Sequence, residues 1–386
     1  MYGNTNLTKD FVIDDDPTML SEFESRISSG DKIEPKDWMP KEYRKQLIRM
    51  IEQHAHSEII GALPEGTWIT RAPGFRRKLA LMAKVQDEVG HAQLLYSAAE
   101  TLGKSREEMV NDLISGKSKY SNVFNYPAKT WADTAVIGWL IDAAAIVNQL
   151  ANAKGSYGPY CRALERICYE ESFHLKQGHD NTVYLATGTP QQREMVQEAL
   201  NRWWRPVIHF FGPPDSQSVH SEKLIKWKIK MMTNDEMRNQ FFNMYVPKIH
   251  ELGLTLPDPD LKKNNDGTWS YSDPDWDEFW AVVKGNGPCN KERIAVRRMA
   301  EERGRWVREA LQNNTTDNNS AFGFYALNSN ISGARNNTVG VNALTLNTIG
   351  SNNNAFGYYA LRNNTIGYEN IAIGNSSLRN NTTGKY

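Results

Sequence analysis

Cysteine is scarce. Cys161, Cys168 and Cys289 are the three in 386 residues, an odd number with no C-x-x-C pair. This excludes a disulfide framework and a thiolate zinc or iron–sulfur site, and fits a reducing, cytoplasmic setting. Net charge is absent too: 45 Lys and Arg balance 45 Asp and Glu. There is neither a basic footprint for nucleic acid nor an acidic field for cationic partners. The opening stretch, MYGNTNLTKDFVIDDDP, lacks the basic start and apolar run of a signal peptide. The most apolar run, WADTAVIGWLIDAAAIVNQL at 131 to 150, carries Asp133 and Asp142, which are costly in hydrocarbon. It is expected to be a buried helix of a soluble protein with no membrane partner. A dinucleotide-binding glycine fingerprint is missing as well.

From about residue 36 to 311 apolar residues recur at three- and four-residue steps, the pattern of an all-α body. Residues 1 to 35 are polar and poorly patterned, and are expected to be a flexible lead-in. Breaks at LPEG (63 to 66), RAPG, FNYP, GSYGPY, TGTP and FGPPD separate helices expected near 41 to 62, 75 to 102, 105 to 115, 130 to 153, 158 to 186, 190 to 210 and 220 to 232. Ser105 with Glu108 forms a candidate capping box. Residues 313 to 386 differ in kind. Asn319, Asn336, Asn353 and Asn370 are 17 apart, as are Gly323, Gly340, Gly357 and Gly374, and then Leu327, Leu344, Leu361 and Leu378. A repeat with corner glycines and a small apolar patch that only stacked neighbours can bury predicts a β-solenoid, the alternative being an Asn-rich disordered tail.

Two stretches carry chemistry: KVQDEVGH (84 to 91) and CYEESFH (168 to 174). Each holds Glu-x-x-His, Glu88 with His91 and Glu171 with His174. Positions i and i+3 share a helix face, so each pair offers a carboxylate and an imidazole to one point. In four-helix dinuclear proteins two helices supply such pairs and two more supply one carboxylate each. Asp142, in the middle of an almost wholly apolar helix, needs a cationic partner. Glu58 is the fourth candidate, with Glu52 as its competitor; Glu170 is an alternative to Glu171. His54 and His56 are expected to be satisfied core or surface histidines. Four carboxylates and two imidazoles suit a pair of iron or manganese ions. Lys84 lies four residues before Glu88. It is a surface ion pair, or a buried counter-charge able to donate a proton.

The stretches IEPKDWMPKEYRKQLIRMIEQHAHSEI, LPEGTWITRAP, LMAKVQDEVGH, KYSNVFNYP, GWLIDAAAIVNQ, YGPY, EESFH and WKIK closely resemble the catalytic subunits of the aryl-CoA ring-epoxidase family of bacterial multicomponent di-iron monooxygenases, over about residues 33 to 310. That resemblance implies a ferritin-like four-helix bundle with a helical extension. It implies two iron ions on Glu58, Glu88, His91, Asp142, Glu171 and His174, with Lys84 beside them. It implies a coenzyme A thioester substrate, phenylacetyl-CoA, in a channel using Arg49, Gln53, Lys119, Tyr120, Ser121, Asn122 and Lys230. Dioxygen would be activated and one atom inserted as a 1,2-epoxide, with electrons from NADPH through a separate flavin and iron–sulfur reductase. A non-catalytic ferritin-like subunit and a small accessory subunit are the further partners implied. A benzoyl-CoA-type epoxidase, iron storage and, for the tail alone, a structural fibre are the competing functions. The tail departs from this family and resembles the head repeats of trimeric bacterial adhesins and fibres, which implies trimerisation.

Overall fold

The computed structural model describes residues 16–217, 221–313 and 319–385. The chain divides into two compact units, the first ending at Ala295 and the second beginning at Val296. The division falls inside a helix and not beyond residue 311, where the change in composition lies.

Order in the first unit begins earlier than the polarity of residues 1 to 35 suggests. Helix α1 (Pro17–Ser29) is capped by the Asp16 carboxylate, which accepts from the Thr18 amide at 2.7 Å, and ends on Gly30 in the left-handed conformation. It buries Phe23 and Ile27, and the Phe23 ring meets Tyr43 edge-on at 4.9 Å. The flexible lead-in is therefore corrected from Pro17 onward; residues 1 to 15 lie outside the described residues.

Four long helices form the bundle: α2 (Lys41–Gly66), α3 (Phe75–Glu100), α5 (Trp131–Asn152) and α6 (Gly158–Ala186). Between the hairpins lies α4 (Arg106–Ser115), whose Ser105 and Glu108 make the expected capping box. α2 pairs with α3, α5 with α6, and α3 packs on α6. The expected break at 63 to 66 is not one: α2 runs through Pro64 to Gly66. Pro64 is buried in the last turn, where packing outweighs the one lost amide hydrogen bond. α5 is long and apolar enough to cross a membrane by length and composition alone, but most of it is buried within the protein, Asp133 and Asp142 included. Its turn Ile137–Ile141 is a π-helix, directly before Asp142; such bulges cluster at functional sites. Here α5 touches α6 backbone to backbone. A Cβ on Gly178 would stand 2.0 Å from the Gly138 carbonyl carbon, so only glycine allows this crossing.

The helical extension comprises α7 (Pro190–Phe210), α8 (Ser221–Lys226), α9 (Asn234–Glu251), α10 (Trp276–Val283) and α11 (Asn290–Asn313), with a hairpin of β1 (Lys262–Lys263) and β2 (Trp269–Ser270). α8 is shorter than the helix expected over 220 to 232, because Lys228 turns left-handed at φ 47°. Trp203, Trp204, Phe241 and Phe242 from the extension join the α5 core. Phe23, Tyr43, Ile51 and Trp227 belong to a second core under α1 and α2.

The second unit contains four short parallel strands, β3 (Ser320–Phe322), β4 (Asn337–Val339), β5 (Asn354–Phe356) and β6 (Ile371–Ile373). Ser320 pairs with Asn337, Asn337 with Asn354, and Asn354 with Ile371. Each rung is one 17-residue repeat, so the tail is a β-solenoid and not a disordered segment. Ala343, Leu344, Ala360 and Leu361 fill its thin interior. Buried asparagines hold the rungs together: Asn353 donates to the Gly367 carbonyl at 2.9 Å and to Asn336 at 3.0 Å, and accepts from Asn370 at 2.8 Å.

Candidate metal centre

One face of each bundle helix carries charge into the interior. α2 brings Glu58, α3 brings Lys84, Glu88 and His91, α5 brings Asp142, and α6 brings Glu171 and His174; all are at most 8% exposed. Glu58, Glu88, His91 and Glu171 place one ligand atom each within 4.8 Å of one another, and so do Asp142, Glu171 and His174. Glu171 is common to both groups. The His91 Nδ1 atom stands 3.3 Å from Glu171, 3.6 Å from Glu88 and 3.8 Å from Glu58, buried and without a hydrogen-bond partner. His174 Nδ1 stands 3.4 Å from Glu88 and 3.3 Å from Glu171. An orphaned imidazole nitrogen facing three buried carboxylates is a donor set suited to a cation. The residues fit a pair of metal ions.

The outer nitrogens show a reciprocal brace. His91 Nε2 meets Glu170 at 3.0 Å, and His174 Nε2 meets Asp87 at 3.2 Å. Each histidine is thus oriented by the acid that directly precedes the glutamate of the opposite helix, fixing which nitrogen points inward. Glu170 belongs to this outer layer, and Glu171 to the cluster. The signal was in the sequence: both Glu-x-x-His pairs are preceded by an acid, Asp87 and Glu170.

Lys84 is 3% exposed, with Nζ 2.7 Å from Asp142, 2.9 Å from Glu65 and 3.9 Å from Glu88. A surface ion pair is excluded by that burial. Burial alone would depress the Lys84 ammonium, but Asp142, Glu65, Glu88 and Glu171 outweigh it and hold it well above its ordinary range. Burial pushes Asp142 well up, with Lys84 as the main opposing charge. His174 is lowered by burial, yet hydrogen bonds with Glu171 and Glu88 carry it up to about 11. A metal ion must therefore compete with a proton for His174. Glu65 was missed from sequence because its helix was expected to stop at Ala62, before the LPEG break.

The competing histidines and acid resolve into supports. His54 Nε2 lies 2.8 Å from Glu58, and its Nδ1 bonds Tyr160 at 3.0 Å. His56 sits between Tyr96 and Glu52. Burial raises Glu52, but hydrogen bonds from His56, Lys104 and Ser118 outweigh it and hold the carboxyl at about 2. Glu52 is a structural ion pair, not a member of the cluster.

A cavity of about 270 Å³ opens onto the cluster. Glu58, Glu88, Asp142 and Glu171 form one wall, with apolar cover from Phe124, Ile141, Ala145 and Phe210. Gln53, Ser121 and Lys230 also line it. Of the other expected substrate residues, Arg49 and Lys119 are exposed and Tyr120 and Asn122 are buried, all outside the cavity lining. Tyr120 accepts from Asn290 at 2.8 Å.

Residues 17–306 match the sequence profile of the Phenylacetic acid catabolic protein family. The chain belongs to that family. Across 294 residues it is 54% identical to one subunit of the 1,2-phenylacetyl-CoA epoxidase of Escherichia coli K12, spanning 76% of this chain and 95% of that one. It is also 25% identical over 163 residues to another subunit of the same enzyme, spanning 41% and 64% respectively. The family match ends before the repeats, so the solenoid is an addition to the family's helical body.

Proposed function

We propose that the chain is the catalytic subunit of a multicomponent oxygenase that converts phenylacetyl-CoA to its ring 1,2-epoxide in phenylacetate breakdown. Its centre would be two iron ions on Glu58, Glu88, His91, Asp142, Glu171 and His174. The observation that carries this is the convergence of those side chains in one buried cluster, four of whose carboxylates wall a cavity, in a chain 54% identical to an epoxidase component.

When bound, the metal pair supplies reductive activation of dioxygen, one oxygen atom passing to the ring and the other leaving as water with two electrons and two protons. The electrons come from NADPH through a separate flavin and iron–sulfur reductase, three cysteines being too few for a cluster of the chain's own. The chain's residues bind, orient and exclude water. Benzene fits in roughly 150 Å³, so the cavity of about 270 Å³ holds one ring and its acyl arm and leaves most of a coenzyme A thioester outside. Phe124, Ile141 and Phe210 wall the ring, while Gln53, Ser121 and Lys230 offer polar contacts to the arm. Arg49 and Lys119, exposed, suit the phosphates beyond. Lys84 keeps a proton at Nζ between Asp142 and Glu65, neutralising acids that would otherwise repel one another.

The assembly includes a second helical subunit, a small accessory subunit and the reductase, in the cytoplasm, and the solenoid trimerises through its repeats. The deciding experiment is metal analysis of the purified chain followed by peroxide-supported turnover of phenylacetyl-CoA. Bound iron with epoxide formation is expected. Iron without epoxide favours storage, and absence of iron overturns the enzymatic reading. Light scattering of the isolated tail, expected at three times its chain mass, tests the trimer.

A further inference from the structure

Gly61 is buried inside α2, one turn from the cluster acid Glu58. Its backbone is ordinary helix, so no left-handed conformation demands glycine there. A glycine within a helix lowers helix stability relative to alanine, and the position therefore needs a reason. The reason is a ring. A Cβ on Gly61 would stand 2.8 Å from Cζ of Phe124 and 2.9 and 3.0 Å from its two Cε atoms. The tip of the Phe124 ring thus rests on bare helix backbone, in the space where any other side chain would begin.

Both residues line the cavity that opens onto the cluster, and their place along α2 says at which end. At a rise of about 1.5 Å per residue, Gly61 lies roughly 4.5 Å beyond Glu58 and roughly 12 Å beyond Gln53 along the helix. Gln53 is exposed and marks the mouth, whereas Gly61 is buried at the depth of the acids. Phe124 therefore bounds the cavity beside the cluster, where a ring to be oxidised must lie. It has little freedom to retreat. Its carbonyl accepts from the Arg293 guanidinium at 3.2 Å, and the Ser121 amide just before it donates to the Ser57 hydroxyl of α2 at 2.8 Å. Its side chain packs against both hydrophobic cores. The cavity is the open side into which the ring would turn if Gly61 carried a methyl group.

We infer that the Gly61–Phe124 pair is the specificity-determining wall of the site, fixing how far an aryl ring travels past Glu58 and restricting the substrate to a single unfused ring. The cavity holds about 270 Å³, of which one benzene ring takes roughly 150 Å³. A fused second ring takes most of the remainder and leaves no room for the acyl arm. Phe124 touches the ring of the substrate; Gly61 acts only through Phe124 and is a positioning residue. The inference rests on the epoxidase reading above and deepens it by naming which rings the site admits.

The test is equilibrium binding of phenylacetyl-CoA and naphthylacetyl-CoA to the iron-loaded full chain without reductase, so that affinity is read apart from turnover. The parent should prefer the phenyl thioester at least about 10-fold, the scale on which a hydrophobic pocket discriminates by size. Phe124→Leu and Phe124→Ala should each shift that preference toward the naphthyl thioester by at least about 10-fold. Gly61→Ala should keep its iron yet weaken phenylacetyl-CoA at least about 10-fold, because the displaced ring fills the cavity. Adding Phe124→Leu to Gly61→Ala should restore affinity to within about threefold of Phe124→Leu alone, a coupling that shows the glycine acts through the ring. Lys230→Met, at the mouth, should weaken both thioesters alike. An unchanged preference in both Phe124 variants overturns the inference, and so does a Gly61→Ala protein that binds phenylacetyl-CoA like the parent or is not rescued by Phe124→Leu. A parent that binds neither thioester overturns the substrate reading and the inference together. A parent that binds with the expected preference but forms no epoxide overturns the epoxidase reading alone.

Discussion

The chain buries polar groups in two places for opposite reasons. In the solenoid Asn336 and Asn353 are fully buried, uncharged and bonded to each other and to the Gly350 and Gly367 carbonyls. In the bundle Glu58, Glu88, Asp142 and Glu171 are buried carboxyl groups converging on imidazole nitrogens, with His91 Nδ1 left unpartnered. A hydrogen-bonded amide network stabilises the fold that contains it. A cluster of like charges with too few cations destabilises its fold and makes sense only when an ion completes it. Satisfaction, not burial, separates a structural polar core from a functional one.

The sharpest way to break that contrast is to remove one polar group from each. Glu171→Gln alters the acid common to both ligand groups. Iron binding and epoxide formation should fall together by at least about 10³-fold, on the scale of losing one ion-stabilising group. The helical fold should survive, since glutamine is isosteric and can still bond His91 and His174. Unchanged iron content in the variant would make Glu171 structural. The solenoid should respond the other way. Asn353→Ala strands donors and acceptors on Asn336, Asn370 and Gly367, at about 3 kcal/mol. Proteolysis of the tail should accelerate while epoxidation stays at the parent rate.

Much of this was legible in the sequence because its physics is periodic. The i, i+3 spacing of Glu88 with His91 and Glu171 with His174 and the acid inside an apolar helix, Asp142, placed the cluster; the 17-residue period placed the solenoid rungs. What was missed depends on packing that no local pattern encodes. Pro64 reads as a stop, yet burial carries α2 one turn further and delivers Glu65 to Lys84. Helix α1 had its own cap signals in Asp16, Pro17 and Gly30, but only Phe23 and Ile27 to bury, too few to lift it out of a polar segment. The substrate residues divided because a cavity is a property of several helices at once: Gln53 and Ser121 line it, and their neighbours Arg49 and Lys119 do not.

A smaller effect probes a buried polar group that belongs to neither class. His209 is wholly buried between the rings of Trp276 and Phe279, at 5.3 and 5.8 Å, and burial drops it to about 4. Its folded value lies below the ordinary histidine value of about 6.5, so between the two the unfolded chain binds more protons. The stability contribution is complete above about pH 6.5 and is lost as the pH falls toward 4, by about 2 kcal/mol at about pH 5. Melting of the helical body from pH 7 to 5 should show this slope, and His209→Phe should flatten it. An unchanged slope would assign the acid sensitivity to other groups.

The smallest effect bears on the cavity mouth, where polar groups await a ligand and not a metal. Lys230 bonds the Asn234 side chain, and burial lowers its ammonium to about 8. Near neutral pH it is mostly charged, and an anionic thioester at the mouth would stabilise that form further. Lys230→Met should therefore raise KM for phenylacetyl-CoA about 10-fold, near 1.4 kcal/mol, with kcat and iron content unchanged. In the parent, KM should climb as the pH rises through about 8 and the ammonium is lost, a dependence that Lys230→Met should abolish. If both proteins showed the same KM profile, Lys230 would belong with Asn234 as a structural contact, and the contrast between satisfied and waiting polar groups would stop short of the cavity mouth.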